Sequence, residues 1–159
     1  MQTLYWEDFE VGERSVFGAE TVSREDLIDF ARRYDPQPMH IDEQLASQGW
    51  HGGLIASGWH TAALCMRMMV RHVLNRSSSM GSPGVEYVRW LAPVRPDDTL
   101  HLRMETLSRR VHPRRPELGF VTNHFEVLNQ RNEVVMHMRS GGMFLLRQPA
   151  TDTAAEDHA

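Results

Sequence analysis

The sequence predicts an α+β domain in which a curved antiparallel sheet wraps one long central helix. A long apolar helical pattern begins near Ser57 or Gly58 and runs to about Asn75. Segments with strand patterning then follow one another from Val85 to Leu146. Short connectors such as Asn129-Gln130-Arg131-Asn132 join them, so neighbouring strands pair antiparallel and bury one face on the helix.

Residues 14–22 read as a first strand, and Ser23 followed by Asp26 resembles a capping box with aspartate in place of glutamate. Leu27, Ile28, Ala31 and Tyr34 then recur at helical spacing. That helix must stop near Asp35, because Pro36 disfavours the α conformation in the residue before it. Asp35 thus projects from a helix carboxyl end, whose partial negative charge is expected to raise its pKa slightly. Asp42 is the expected N-cap of a short helix through Gln48, closed by Gly49, and Trp50–Ile55 is a loop. In the long helix Trp59, Ala62, Ala63, Met66, Met69, Val70 and Val73 form an apolar stripe, widened by Leu64, Cys65 and Met68. Only Arg67, Arg71 and Asn75 make a clear polar face, so this helix is expected at the centre, roughly 18 residues and some 27 Å long.

Residues 76–83 form a serine- and glycine-rich connector. Val85, Tyr87 and Arg89 face one way and Val88 and Trp90 the other, until Pro93 and Pro96 end the strand. Leu100, Leu102 and Met104 alternate with His101, Arg103 and Glu105. Residues 112–118 are a loop, Val121, Phe125 and Val127 mark the next strand, and Val134, Met136 and Met138 begin the last. Gly141-Gly142 suggests a bulge within it. The folded domain is expected over 1–147, and the small polar tail, 148–159, is expected to be disordered.

At 159 residues the chain is long enough for one domain with a real core, and its 41% hydrophobic and 24% charged content is that of a globular protein. A net charge of −4 and the lack of a basic stripe argue against nucleic acid. Arg109, Arg110, Arg114 and Arg115 read as a solvated loop. The lone Cys65 forbids a disulfide within the chain and reads as a small buried hydrophobe. An acidic start without an apolar leader, and no run of membrane-spanning length, lead us to expect no membrane association and a cytoplasmic location. The uncovered sheet edges call for a partner, so self-association is expected.

The chemistry concentrates in Asp35-Pro36-Gln37-Pro38-Met39-His40-Ile41-Asp42 and Ala56-Ser57-Gly58. Alone, Asp35 reads as a turn residue and His40 as a structural histidine. Together, with Pro36 and Pro38 stiffening the loop between them, both can be held near one water at little ordering cost. Such a pair can take a proton from water and deliver one to carbon, while the Gly58 N–H at a helix start stabilises charge on a carbonyl oxygen. Gly58 reads equally as a tight-turn glycine, and Trp59 equally as core packing or as a wall narrowing an acyl pocket.

These residues make the chain resemble the MaoC-like hot-dog hydratases and dehydratases. The family pattern of Asp, two residues including an amide, Pro, an apolar residue, His, any residue and Asp is matched at 35–42. Its Ala-His-Gly-like helix start is matched by Ala56-Ser57-Gly58, with Gly58 lying 23 positions after Asp35. Val88-Arg89-Trp90-Leu91-Ala92-Pro93-Val94 resembles the family's first long strand after the helix, and the likeness covers roughly 5–147. The resemblance implies a hot-dog fold and reversible addition of water to a 2-enoyl thioester of CoA or acyl carrier protein, giving an (R)-3-hydroxyacyl thioester. Asp35 and His40 would be catalytic, and Gly58, with Gln37, Ser57 and Trp59, would contact substrate. It also implies a homodimer and no metal, flavin or nicotinamide. Gln37 and Ser57 depart from the family's usual asparagine and histidine, which bears on substrate choice.

Competing readings are a hot-dog module that binds an acyl thioester without turnover, and a hot-dog thioesterase. The nine histidines are scattered without metal-ligand spacing. A Gly-x-Ser-x-Gly elbow and a phosphate loop are both absent.

Overall fold

The computed structural model describes residues 3–149. Strand β1 (Arg14–Thr21) leads into helix α1 (Arg24–Tyr34). The Ser23 hydroxyl caps α1 by accepting from Asp26 N–H, an interaction worth about 1 kcal/mol. Leu27, Ile28 and Ala31 give α1 a buried face. A short helix α2 (Pro38–Ile41) follows, with Pro38 in its first turn, and then α3 (Glu43–Gln48), whose N-cap Asp42 accepts from Leu45 N–H at 2.9 Å. The sequence did not suggest α2: a four-residue helix is too short to show a period.

The long helix α4 (Gly58–His72) is 15 residues, shorter than expected, because Val73 leaves helical geometry and Leu74–Arg76 tighten into a 3-10 turn. Four strands complete the chain: β2 (Gly84–Trp90), β3 (Thr99–Val111), β4 (Leu118–Leu128) and β5 (Val134–Leu145). They join β1 in one antiparallel sheet ordered β1-β3-β4-β5-β2. Leu64, Cys65, Met68 and Met69 of α4 pack with Leu100, Leu102, Phe125, Val127, Met136 and Met138 on the sheet's inner face. A sheet closed over one long helix is the hot-dog arrangement.

The structure corrects three local expectations. No bulge interrupts β5 at Gly141-Gly142, where the pairs Thr122–Gly141 and Val121–Gly142 stay in register. Those glycines relieve crowding instead: a Cβ on Gly142 would lie 3.1 Å from the Phe144 ring, and one on Gly141 3.3 Å from Val121 O. A register shift falls in β1 between Phe17 and Glu20, where Gly18 adopts φ +78° and a Cβ would meet Met68 Sδ at 2.5 Å. The arginines do not share one loop, since Arg109 and Arg110 lie in β3 over the rings of Trp6 and Phe120.

Nor is α4 buried all round. Trp59 is 60% and Met66 48% exposed, and Ala63 between them is exposed as well. The residues truly enclosed include His60 and Thr61, polar positions that the apolar stripe left out. Among the described residues no helix is long and apolar enough to cross a membrane.

Candidate active site

Asp35 caps the end of α1, with its N–H donating to Ala31 O at 2.8 Å. Its backbone turns sharply into α2, and Gln37 N–H donates back to Asp35 O at 2.8 Å. This turn brings His40, on α2, under the carboxylate. The imidazole is 3% exposed, and its Nδ1 lies 2.8 Å from Ile55 O. A carbonyl only accepts, so Nδ1 carries the hydrogen, and in the neutral form of the ring Nε2 is left as an acceptor. Ile55 is itself fixed, because its N–H donates to Met39 O at 3.2 Å.

The Asp35 carboxylate gathers three groups. Gln37 Nε2 donates to Oδ1 at 2.7 Å, Ser57 Oγ donates to Oδ2 at 2.6 Å, and His40 Nε2 stands 3.4 Å from Oδ2. The Ser57 hydroxyl, foremost, and the Gln37 amide hold the carboxyl below the usual carboxylate range, against the opposing effect of burial. The expected rise is therefore overturned: two direct hydrogen bonds to the ionised form outweigh the partial charge at the end of α1. With a neutral imidazole, Nε2 and Oδ2 are both acceptors facing each other, an arrangement completed by a molecule that donates to both.

Ser57 is also the N-cap of α4, accepting from Trp59 N–H at 3.3 Å. His60 and Thr61 N–H donate to Ser57 O at 3.0 and 3.2 Å. The Gly58 N–H has no hydrogen-bond partner among the described residues, and it stands at the positive end of α4. The need for glycine there comes from a neighbour that sequence reasoning missed. Trp90 Nε1 donates to Gly58 O at 2.8 Å, and a Cβ on Gly58 would lie 2.5 to 2.8 Å from the Trp90 indole. Trp59 meets Trp90 edge to face at 5.3 Å between ring centres.

A cavity of about 360 Å³, within the size range of small-molecule sites, joins these groups. Asp35, His40, Gly58, Gln37 and Trp59 all line it, along with Trp90, His51 and the apolar Met39, Ile55 and Leu91. Ser57 is fully buried behind this wall and reaches the site through Asp35. Trp59 is thus a cavity wall and not core. The signals for Trp90 and for the Ile55 carbonyl were long-range pairings, which no local pattern encodes. Burial pushes the Cys65 thiol up to about 12, as befits an inert core residue. Among the described residues, no group of three or more His, Cys, Asp or Glu is placed to hold a metal ion.

Residues 9–126 match the family model described as MaoC like domain. The chain belongs to the MaoC-like family. It is 32% identical over 125 residues to the uncharacterized protein YdeM of Bacillus subtilis, covering 79% of this chain and 87% of that protein. It is 29% identical over 124 residues to a 3-hydroxybutyryl-CoA dehydratase of Methylorubrum extorquens, covering 75% of this chain and 74% of the relative. The MaoC-like dehydratase of Rhodospirillum rubrum superposes with a TM-score of 0.83 at 37% identity, over 91% of this chain and 99% of that one. These likenesses place the chain among the hydratase and dehydratase type of the MaoC-like family.

Proposed function

We propose that this protein adds water reversibly to the double bond of a 2-enoyl thioester, carried by CoA or acyl carrier protein, giving an (R)-3-hydroxyacyl thioester. The observation that carries the reading is the 3.4 Å approach of Asp35 Oδ2 and His40 Nε2 on the wall of a cavity that also exposes Gly58. Its family membership supports it, as does its likeness to a 3-hydroxybutyryl-CoA dehydratase.

In this reading a water donates to both Asp35 Oδ2 and His40 Nε2. Asp35 holds and polarises it, and its oxygen attacks the β-carbon. The π electrons move toward the α-carbon, and negative charge grows on the thioester oxygen. The Gly58 N–H, backed by the dipole of α4, donates to that oxygen. His40 takes the proton that the water loses and delivers it to the α-carbon, so one hydroxyl and one hydrogen are added. Dehydration runs through the same groups in reverse.

A homodimer belongs to the same reading. Met66, Met80, Val85, Trp90 and Leu91 are each at least 44% exposed, and among the described residues β2 pairs only with β5, leaving its other edge open.

The test is to incubate the protein with short and medium 2-enoyl-CoA esters and follow the conjugated thioester absorbance. Loss of absorbance without thiol release is expected. Thiol release would indicate a thioesterase, and binding without turnover a carrier-binding module; either would overturn the reading.

A further inference from the structure

Two polar side chains are buried on the wall of the active-site cavity, His40 and Thr61, each 3% exposed. The proposed chemistry employs His40 and leaves Thr61 without a task. Thr61 stands on α4 three residues after Gly58 and four after Ser57. Its side chain therefore shares their face of the helix and leans toward the helix start. A threonine inside a helix commonly turns its hydroxyl onto the carbonyl one turn back. Here that carbonyl, Ser57 O, already accepts from His60 N–H at 3.0 Å and from Thr61 N–H at 3.2 Å. The Thr61 hydroxyl has no hydrogen-bond partner among the described residues. Nor is it sealed in the interior. The buried side-chain polar atoms enclosed without a partner, among the described residues, are His60 Nδ1, His137 Nε2 and Arg139 Nε. A hydroxyl both unpaired and unsealed, on a buried residue, opens into the cavity that the residue lines.

We propose that Thr61 Oγ1 donates a second hydrogen bond to the thioester oxygen, beside the Gly58 N–H. The inference rests on the hydratase reading and adds a residue to it. In that reading the oxygen gains negative charge as water adds to the β-carbon, and an oxyanion with several lone pairs gains from more than one donor. Neighbouring donors are already engaged. Ser57 Oγ and Gln37 Nε2 donate to Asp35, and Trp90 Nε1 donates to Gly58 O. Burial strengthens the one that is left, because a hydroxyl held away from bulk water stabilises charge more than an exposed one. Exchanging this hydroxyl for a methyl takes no hydrogen bond from the folded protein, which separates its role from that of a structural threonine.

Thr61→Val, which replaces the hydroxyl by a methyl of similar shape, and Thr61→Ser, which keeps it, test this in the full chain. Thr61→Val is expected to lower kcat for crotonyl-CoA about 10²-fold with KM little changed, because the bond strengthens as charge develops. It should melt no lower than wild type. Thr61→Ser should recover most of the rate. Unchanged kcat in Thr61→Val, a rise in KM alone, or equal losses in both variants overturns the proposal. So does a Thr61→Val protein that melts well below wild type. Infrared spectra of crotonyl-CoA with an isotope-labelled carbonyl give a readout without turnover, bound to Asp35→Asn and to the Asp35→Asn, Thr61→Val double variant. The carbonyl stretch should move less toward low frequency in the double variant, and an equal shift overturns the proposal. If wild type hydrates no enoyl thioester yet the Thr61-dependent shift is found, the hydratase reading fails and the Thr61 donor stands.

Discussion

Ser57 Oγ donates to Asp35 Oδ2 at 2.6 Å while accepting from Trp59 N–H at 3.3 Å. A carboxylate at the end of α1 is thereby wired to the first turn of α4, and its acidity is set across two elements. Replacing Ser57 with alanine removes the leading cause of the lowered Asp35 pKa, so that pKa rises. If ionised Asp35 is the working form, the acid limb of kcat/KM moves to higher pH. The pH–rate profile checks this, and an unmoved limb would detach Asp35 from catalysis.

The same linkage has a stability counterpart. Asp35 is lowered from 3.8, so the stabilisation it confers is complete above that value and is lost as pH falls through the lower folded value. Denaturant melts of wild type and Ser57→Ala should differ most at neutral pH, and the gap should narrow in acid to the part that the lost α4 N-cap contributes.

Asp35→Asn and His40→Ala are each expected to cut hydration by roughly 10²- to 10⁴-fold. Asp35→Asn should melt below wild type at neutral pH and approach it in acid, because the uncharged amide forgoes the charge-assisted bonds from Ser57 and Gln37. His40→Ala should also lose stability, on the order of 1–3 kcal/mol, because it strands the Ile55 carbonyl. Enoyl-CoA assays paired with thermal melts separate the two effects.

Gly58 and Gly18 make a matched pair of tests. Gly58→Ala drives a methyl into the Trp90 indole and should cost about 1–3 kcal/mol. Trimming Trp90 to alanine as well should recover part of that loss in a double-mutant cycle. Gly18→Ala meets Met68 but is also held at φ +78°, so trimming Met68 should not rescue it. Rescue at both sites would mean that backbone conformation at Gly18 is unimportant.

Val85→Glu puts a charge beside the open edge of β2, where the parent side chain is 51% exposed. On the proposed homodimer, wild type is expected to sediment as a dimer and Val85→Glu as a folded monomer.

Much of the architecture was legible because it is local. Pro36 ends α1 at Asp35, Ser23 and Asp42 cap as read, and the alternation of Leu100, Leu102 and Met104 marks β3. The proximity of Asp35, His40 and Gly58 followed from a family spacing, not from any periodicity. What stayed hidden was tertiary. The indole that dictates Gly58 comes from 32 positions away, and the carbonyl that fixes the His40 tautomer from 15. The exposed side of α4 was misjudged for the same reason, since an apolar stripe states what can be buried and not which face the sheet takes. Gly141-Gly142 shows the converse error: a glycine pair read as backbone irregularity answers to the Phe144 ring and the Val121 carbonyl.

Cys65, the sole thiol of the chain, lies fully enclosed between α4 and the sheet. Alkylating reagents can reach it only when the helix parts from its wrapping, so labelling kinetics under native conditions clock that opening. A single sulfur atom, silent in the chemistry, thus serves as a gauge of how often the core comes apart.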